Sequence, residues 1–180
     1  TYYCGFKVNS GEYKLMGLAP YGEPKYAKKI KDYLIDIKDD GSFRLDMSYF
    51  KFHRGFRMIS RKFHYLFGAP PRKKESEINQ FHMDIAASIQ EITEEIVLKI
   101  AKNIFEEYKI DTLCMAGGVA LNCVINGIIV KKKIFKNLWI QPASGDAGSS
   151  IGAAKLIWHM HLNKERIVDE EDSMKGSYLG

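Results

Sequence analysis

Cysteine is scarce and unpaired in this sequence: Cys4, Cys114 and Cys123 are three in all, an odd number, with no Cys-x-x-Cys pair among them. That usage excludes a disulfide framework and a cysteine-based zinc site. With two of the three in elements that read as buried, it predicts reduced intracellular thiols. Long apolar runs are also missing. None approaches the roughly 18 residues that a membrane span needs, and Thr1-Tyr2-Tyr3-Cys4-Gly5 carries no basic stretch ahead of an apolar one, as a secretion signal would. A soluble, cytoplasmic protein without a membrane partner is expected. No internal repeat or low-complexity tract appears.

What is present fits a globular domain. The chain has 180 residues, 46% hydrophobic and 27% charged, enough to bury a core of one domain or slightly more. Its net charge of +5 gathers at positions 25–31, 54–62, 72–74 and 131–136. At 25–34 the lysines alternate with apolar residues at helical spacing, so a solvated helix face explains them better than a phosphate-rich partner. The stretch 54–74 is aromatic as well as basic and contains the turn signal Gly68-Ala69-Pro70-Pro71, and it reads as a mobile surface insertion, spanning about 53–76, with an unassigned partner.

Apolar spacing predicts the elements. Residues 11–22 form a short helix or turn ended by glycine and proline, and 26–34 a helix. Alternation at 34–38 and 43–52 around Asp39-Asp40-Gly41-Ser42 predicts a hairpin. From Ile78 to Tyr108 isoleucines recur every three or four residues, the mark of one long amphipathic helix. Strand (112–116), helix (121–130), strand (138–141) and helix (147–162) follow, an alternation that predicts parallel strands joined by helical crossovers.

Two of these strand ends carry chemistry. In Ala116-Gly117-Gly118-Val119-Ala120-Leu121-Asn122 two glycines follow a strand, so the backbone can approach a ribose or base unhindered. Asn122 and Asn126 fall on one helical face, where either amide could hydrogen-bond adenosine; helix packing or capping would explain them equally well. In Gln141-Pro142-Ala143-Ser144-Gly145-Asp146-Ala147-Gly148 a carboxylate stands at a helix start. There Asp146 serves as a cap or as a ligand for a hard cation bridging phosphates. Two successive turns of this shape, each leading into a helix N-terminus, favour a nucleotide site.

Four separated segments together resemble the NodU/CmcH carbamoyltransferase family: 5–22, containing Gly11-Glu12-Tyr13-Lys14; Asp84-Ile85-Ala86-Ala87-Ser88-Ile89-Gln90; 116–122; and 141–148. The likeness is collinear over nearly the whole chain. It implies an α/β chain with an actin-like ATPase (RNase H-like) fold, of which this would be the second subdomain: 1–24 a linker and motif segment, 25–165 the subdomain itself, 166–180 a linker onward. It further implies transfer of a carbamoyl group, from a carbamoyl-adenylate made with ATP and carbamoyl phosphate, to a hydroxyl of a small acceptor. By that likeness Asp146 would help hold a divalent metal such as Fe, Mg or Mn, and Gly117, Gly118, Asn122, Asn126 and Gly145 would lie at the nucleotide. Glu12 would serve near the ribose or acceptor hydroxyl and Lys14 near phosphate or the carbamoyl group. A metal-binding histidine pair would precede Thr1 and an adenylate-forming domain would follow Gly180, so the chain alone is expected to be inactive. His53, His64, His82, His159 and His161 are read as surface or packing residues. The competing readings are an RNA-modifying enzyme of the tRNA threonylcarbamoyladenosine type, although nucleic acid is not the expected partner, and a non-catalytic nucleotide-binding module.

Overall fold

The structure, a computed structural model, describes residues 1–53, 55 and 57–168. The chain divides into two compact units, Thr1–Tyr108 and Lys109–Gly180. Both mix helices with a small sheet.

In the first unit the order is α1 (Glu12–Leu18), a 3₁₀ turn (Ala19–Tyr21), α2 (Ala27–Tyr33), β1 (Ile35–Ile37), β2 (Phe43–Leu45), α3 (Arg61–Phe67) and α4 (Gln80–Tyr108). The hairpin forms where the alternation placed it, antiparallel, with Ile35 opposite Leu45 and Ile37 opposite Phe43. Its second arm stops at Leu45 instead of running to 52. The Asp46 carboxylate accepts the amide of Ser48 at 2.9 Å, and this local turn outcompetes a ladder that the alternation alone would have continued. The long helix begins at Gln80, two residues later than the periodicity suggests, because the Asn79 amide donates to His82 Nδ1 (3.2 Å) and the His82 amide to the Asn79 carbonyl (3.0 Å).

One stripe of α4 makes the core. Ile85, Ile92 and Ile96 are buried, as the spacing predicts, against Tyr3, Ala27, Ile30 and Leu34. The basic stretch contributes too, which corrects its reading as a surface insertion. Ile59 and Phe67 are buried, with Phe63 packed on them, and Tyr3 meets the Phe63 and Phe67 rings at 5.0 and 5.7 Å. Burying such aromatic faces outweighs the positive charge around them. Arg54 lies outside the described residues.

The start of α4 also secures the loop after the 3₁₀ turn. Asp84, 4% exposed, accepts the Glu23 amide (2.9 Å), Gln80 Nε2 (2.8 Å) and Lys25 Nζ (3.1 Å). One turn on, Ser88 Oγ accepts the Tyr26 amide at 3.0 Å and donates to the Asp84 carbonyl at 2.6 Å. Two polar side chains at i and i+4 therefore satisfy the backbone of residues 23–26, which has no ladder of its own. The Glu23 amide, with Gln80 and Lys25 adding to it, holds the Asp84 carboxyl below the usual carboxylate range. A group depressed in this way stabilises the fold fully above about pH 4 and loses that contribution as pH falls through its folded value. Asp84→Asn is accordingly expected to cost about 1–2 kcal/mol at pH 7 and markedly less at pH 3, measured by urea unfolding. An equal cost at both pH values would remove the carboxylate from this role.

The second unit runs β3 (Thr112–Met115), a 3₁₀ turn (Gly118–Leu121), α5 (Cys123–Lys132), β4 (Asn137–Ile140), a 3₁₀ turn (Asp146–Gly148), α6 (Ser149–Leu156) and a π-helical turn (Ile157–His161). The two strands pair in parallel with Met115 opposite Ile140, the crossover that the alternation called for. Helices expected to start at 121 and 147 are each preceded by a 3₁₀ turn, so their α-helical N-termini lie at Cys123 and Ser149. Ile125 and Ile129, on the inner face of α5, are fully buried. The thiols depart from expectation: Cys4 is buried, but Cys114 and Cys123 are exposed. Along β3 Leu113 and Met115 turn inward and Cys114 alternates outward with Thr112.

Among the described residues no helix is long and apolar enough to cross a membrane. His82 is buried and the exposed His159 faces the Lys164 carbonyl through Nδ1 at 3.0 Å, packing and surface roles as expected. Residues 163–168 form neither helix nor strand; the remainder of the expected linker lies outside the described residues.

Candidate functional site

Parallel pairing in register brings the C-terminal ends of β3 and β4 side by side, and a glycine-bearing turn leaves each. The turns are tied together. The Gly117 amide donates to the Ser144 carbonyl at 2.7 Å, and the Gln141 amide to the Met115 carbonyl at 3.2 Å. Gly117 has φ 103° and ψ 165°, a conformation open essentially to glycine alone. Any other residue would cost the clasp its geometry. At Gly118 a Cβ would meet nothing within 4 Å, so the second glycine faces open space.

Three buried polar atoms around these turns lack a hydrogen-bond partner: Asn126 Oδ1, Gln141 Oε1 and Ser144 Oγ. Ser144 is 6% exposed. An orphaned buried polar atom costs about 1–3 kcal/mol, so three of them in one small unit amount to hydrogen-bonding capacity that a ligand would relieve. Asn126 is half engaged, its Nδ2 donating to the Ala120 carbonyl at 2.8 Å.

The expected residues separate into two groups. Gly117, Gly118, Asn122, Gly145 and Asp146 belong to the second unit's paired turns and Asn126 to the first turn of α5, and Gly145 comes close enough to the Leu121 side chain that its Cβ would lie 3.8 Å from Cδ1. Asn122 serves the protein itself: its Oδ1 accepts the Ile125 amide at 3.2 Å and caps α5. Asp146 does not cap. Gly145 occupies that position, the turn carries no side-chain cap, and the Asp146 side chain is exposed with no hydrogen bond or ion pair among the described residues. Glu12 and Lys14 sit in the first unit. Glu12 opens α1 and accepts the Asn9 amide at 2.9 Å, while Lys14 is exposed, its Nζ 6.0 Å from the Tyr13 ring centroid.

The donor set bears on the expected metal. No group of three or more metal-ligating side chains exists among the described residues, so Asp146 can serve as one ligand and not as a site. A free, exposed carboxylate is suited to that single part. Sequence reasoning passed over Ser144 and Gln141. The only signal was their place in the same turn as Asp146, since the clasp runs through a backbone carbonyl that any residue supplies.

A family profile described as Carbamoyltransferase N-terminus matches residues 1–155. A Synechocystis protein, sll1178, is 59% identical over the whole chain, which spans 29% of that protein. The nodulation protein NolNO of Sinorhizobium fredii is 32% identical over 93% of the chain, covering 26% of its own length, and NolO of Bradyrhizobium diazoefficiens is 34% identical over 81%, covering 25%. The chain thus spans under a third of the relatives it matches.

Proposed function

The chain belongs to the carbamoyltransferase family, and on that premise we propose that its paired turns bind the adenosine part of a carbamoyl-adenylate, made from ATP and carbamoyl phosphate, within a longer protein that passes the carbamoyl group to a hydroxyl of a small molecule. The observation that carries this reading is the clasp with its three orphaned polar atoms. Gly117 and Gly118 leave the backbone bare for close approach, and Ser144 Oγ, Asn126 Oδ1 and Gln141 Oε1 supply hydrogen bonds to a base or ribose.

In this reading the units form the second subdomain of an actin-like ATPase fold, to which the long helix and the parallel strand-helix succession are suited. Asp146 contributes one carboxylate to a divalent metal. Such a metal, when bound, neutralises phosphate oxygens and polarises the carbamoyl carbonyl. The acceptor hydroxyl loses its proton as it attacks the carbamoyl carbon, and AMP leaves with the bonding electron pair. Glu12 is assigned to the ribose or the acceptor hydroxyl, and Lys14 to the phosphate or carbamoyl group. The metal's other ligands and the adenylate-forming step come from segments beyond this chain.

The test is Gly118→Val in the full-length protein supplied with ATP, carbamoyl phosphate, a divalent metal and a panel of hydroxylated acceptors. Because the added side chain meets open space, melting temperature should stay put. Adenylate affinity should fall about tenfold or more, a loss of roughly 1.4 kcal/mol, and transfer with it. Carbamoyl-phosphate-dependent pyrophosphate release, made elsewhere, should persist. Unaltered transfer in the variant would exclude these turns. ATP binding without pyrophosphate release even in the wild type would leave a nucleotide-binding module.

A further inference from the structure

The first unit holds a second feature that the carbamoyl chemistry does not use. From 47 to 74 the sequence has 28 residues with eight lysines and arginines and no aspartate or glutamate. The fold curls this stretch around a concave basin of about 920 Å³, within the range of roughly 300–1,000 Å³ typical of small-molecule pockets. Lys51, Arg57, Arg61, Lys62, Lys73 and Lys74 line it, together with Arg72, whose guanidinium is held by the Cys4 and Ser76 carbonyls, and no carboxylate does.

These cations differ from the paired lysines of the unit. Lys25, Lys28, Lys31 and Lys38 pair with Asp84, Asp32, Glu95 and Asp36 at 3.1, 2.6, 3.0 and 2.6 Å, whereas none of the six basin cations has an ion pair among the described residues. The carboxylates that flank the stretch in sequence, Asp46 and Glu75, both lie outside the basin, and Asp46 is engaged by the Ser48 amide. The walls are fixed from behind. Ser60 donates from its amide to the Tyr49 carbonyl (2.8 Å) and from Oγ to the Ser48 carbonyl (3.0 Å), Lys51 donates its amide to Met58 (3.0 Å), and Arg72 Nε donates to the Cys4 carbonyl at 2.7 Å. Buried Ile59 and Phe67 anchor the same segment. Repulsion among like charges held on a fixed frame is relieved when an anion enters.

We propose that this basin binds a small molecule bearing two or three phosphate groups. Each phosphate monoester carries about −1.5 to −2, so two or three such groups match six cations. The arginines can grip phosphate oxygens in pairs and the lysines act as point charges. A concave basin of bounded size favours a compact ligand over the extended track that a nucleic-acid backbone needs. The inference stands apart from the paired turns and does not depend on them.

Titration of the full-length protein with inorganic tripolyphosphate, by calorimetry at several salt concentrations, decides it. Lys51, Arg61 and Lys73 are exposed and bear no fold-stabilising contact of their side chains among those described here, so the triple Lys51→Gln, Arg61→Gln, Lys73→Gln variant should melt as wild type. It should bind tripolyphosphate about tenfold or more weakly, with a shallower dependence on salt. Gly118→Val should bind it as wild type does, separating the basin from the adenylate turns, and inorganic phosphate should bind more weakly than tripolyphosphate. Wild-type affinity in the triple variant, or no binding to the wild type, overturns the proposal. So does a single-stranded oligoribonucleotide that needs the basin and is not displaced by tripolyphosphate.

Discussion

Gly22→Ala is expected to cost the first unit about 2–6 kcal/mol. Its Cβ would lie 2.1 Å from the Met83 carbonyl oxygen and 2.6 Å from the Asp84 amide, and these are backbone atoms in the first turns of α4, with no flexible side chain to give way. Overpacking of this kind costs about 1–3 kcal/mol. Moving the loop aside to make room would draw the Glu23 amide from Asp84 and leave a buried carboxylate short of a donor, for about 1–3 kcal/mol more. A drop in melting temperature beyond about 10 °C should follow. Gly17→Ala is the control, since the added methyl meets nothing within 4 Å inside α1 and should be neutral or stabilising by a few tenths to about 1 kcal/mol. A Gly22→Ala protein that melts within about 2 °C of wild type would show that the loop can leave α4 without penalty.

Asp146→Asn should act in the opposite way, on chemistry and not on folding. The 3₁₀ turn it opens is held by the Gly148 amide donating to the Gly145 carbonyl at 3.1 Å and by Ser149 Oγ donating to the Asp146 carbonyl at 2.6 Å, and neither bond involves the Asp146 carboxylate. Asparagine keeps the shape while removing the charge that a hard cation requires. If Asp146 is one of the metal's ligands, transfer should fall about a hundredfold or more, roughly 2.7 kcal/mol of transition-state stabilisation. Melting temperature and carbamoyl-phosphate-dependent pyrophosphate release should remain at wild-type values. The comparison is made on the full-length protein, and a wild-type transfer rate in the variant would take Asp146 out of the mechanism.

Much of this architecture could be read from periodicity. Isoleucines three and four apart give α4 because they must share one buried stripe, and strand-helix-strand-helix alternation gives the parallel β3–β4 pair. What escaped has a common cause, in that local patterns do not record partners far away in the chain. The arm after β2 was overextended because Asp46 turns the backbone through a side chain that alternation treats as merely polar. The stretch 54–74 passed for a surface insertion because its charge hid Ile59, Phe63 and Phe67, whose burial depends on Tyr3, more than 50 residues earlier. At the candidate site the glycines and Asp146 were legible by residue type. The clasp was not, because a main-chain carbonyl carries no signature, and the cap at Asn122 needed the position of the Ile125 amide.

The bond from Gly117 to Ser144 also dictates where this protein tolerates changes of length. A residue gained or lost between Gln141 and Ser144 would carry the carbonyl out of reach of the Gly117 amide and dissolve both turns at once. The connector at 133–136 joins α5 to β4 at the far end of the strands, where an insertion leaves the clasp untouched. The two turns therefore have to be grafted as one piece, and a chimera that exchanges this region between relatives should cut before β3 and after the second turn, not at 133–136, which would take the two turns from different parents.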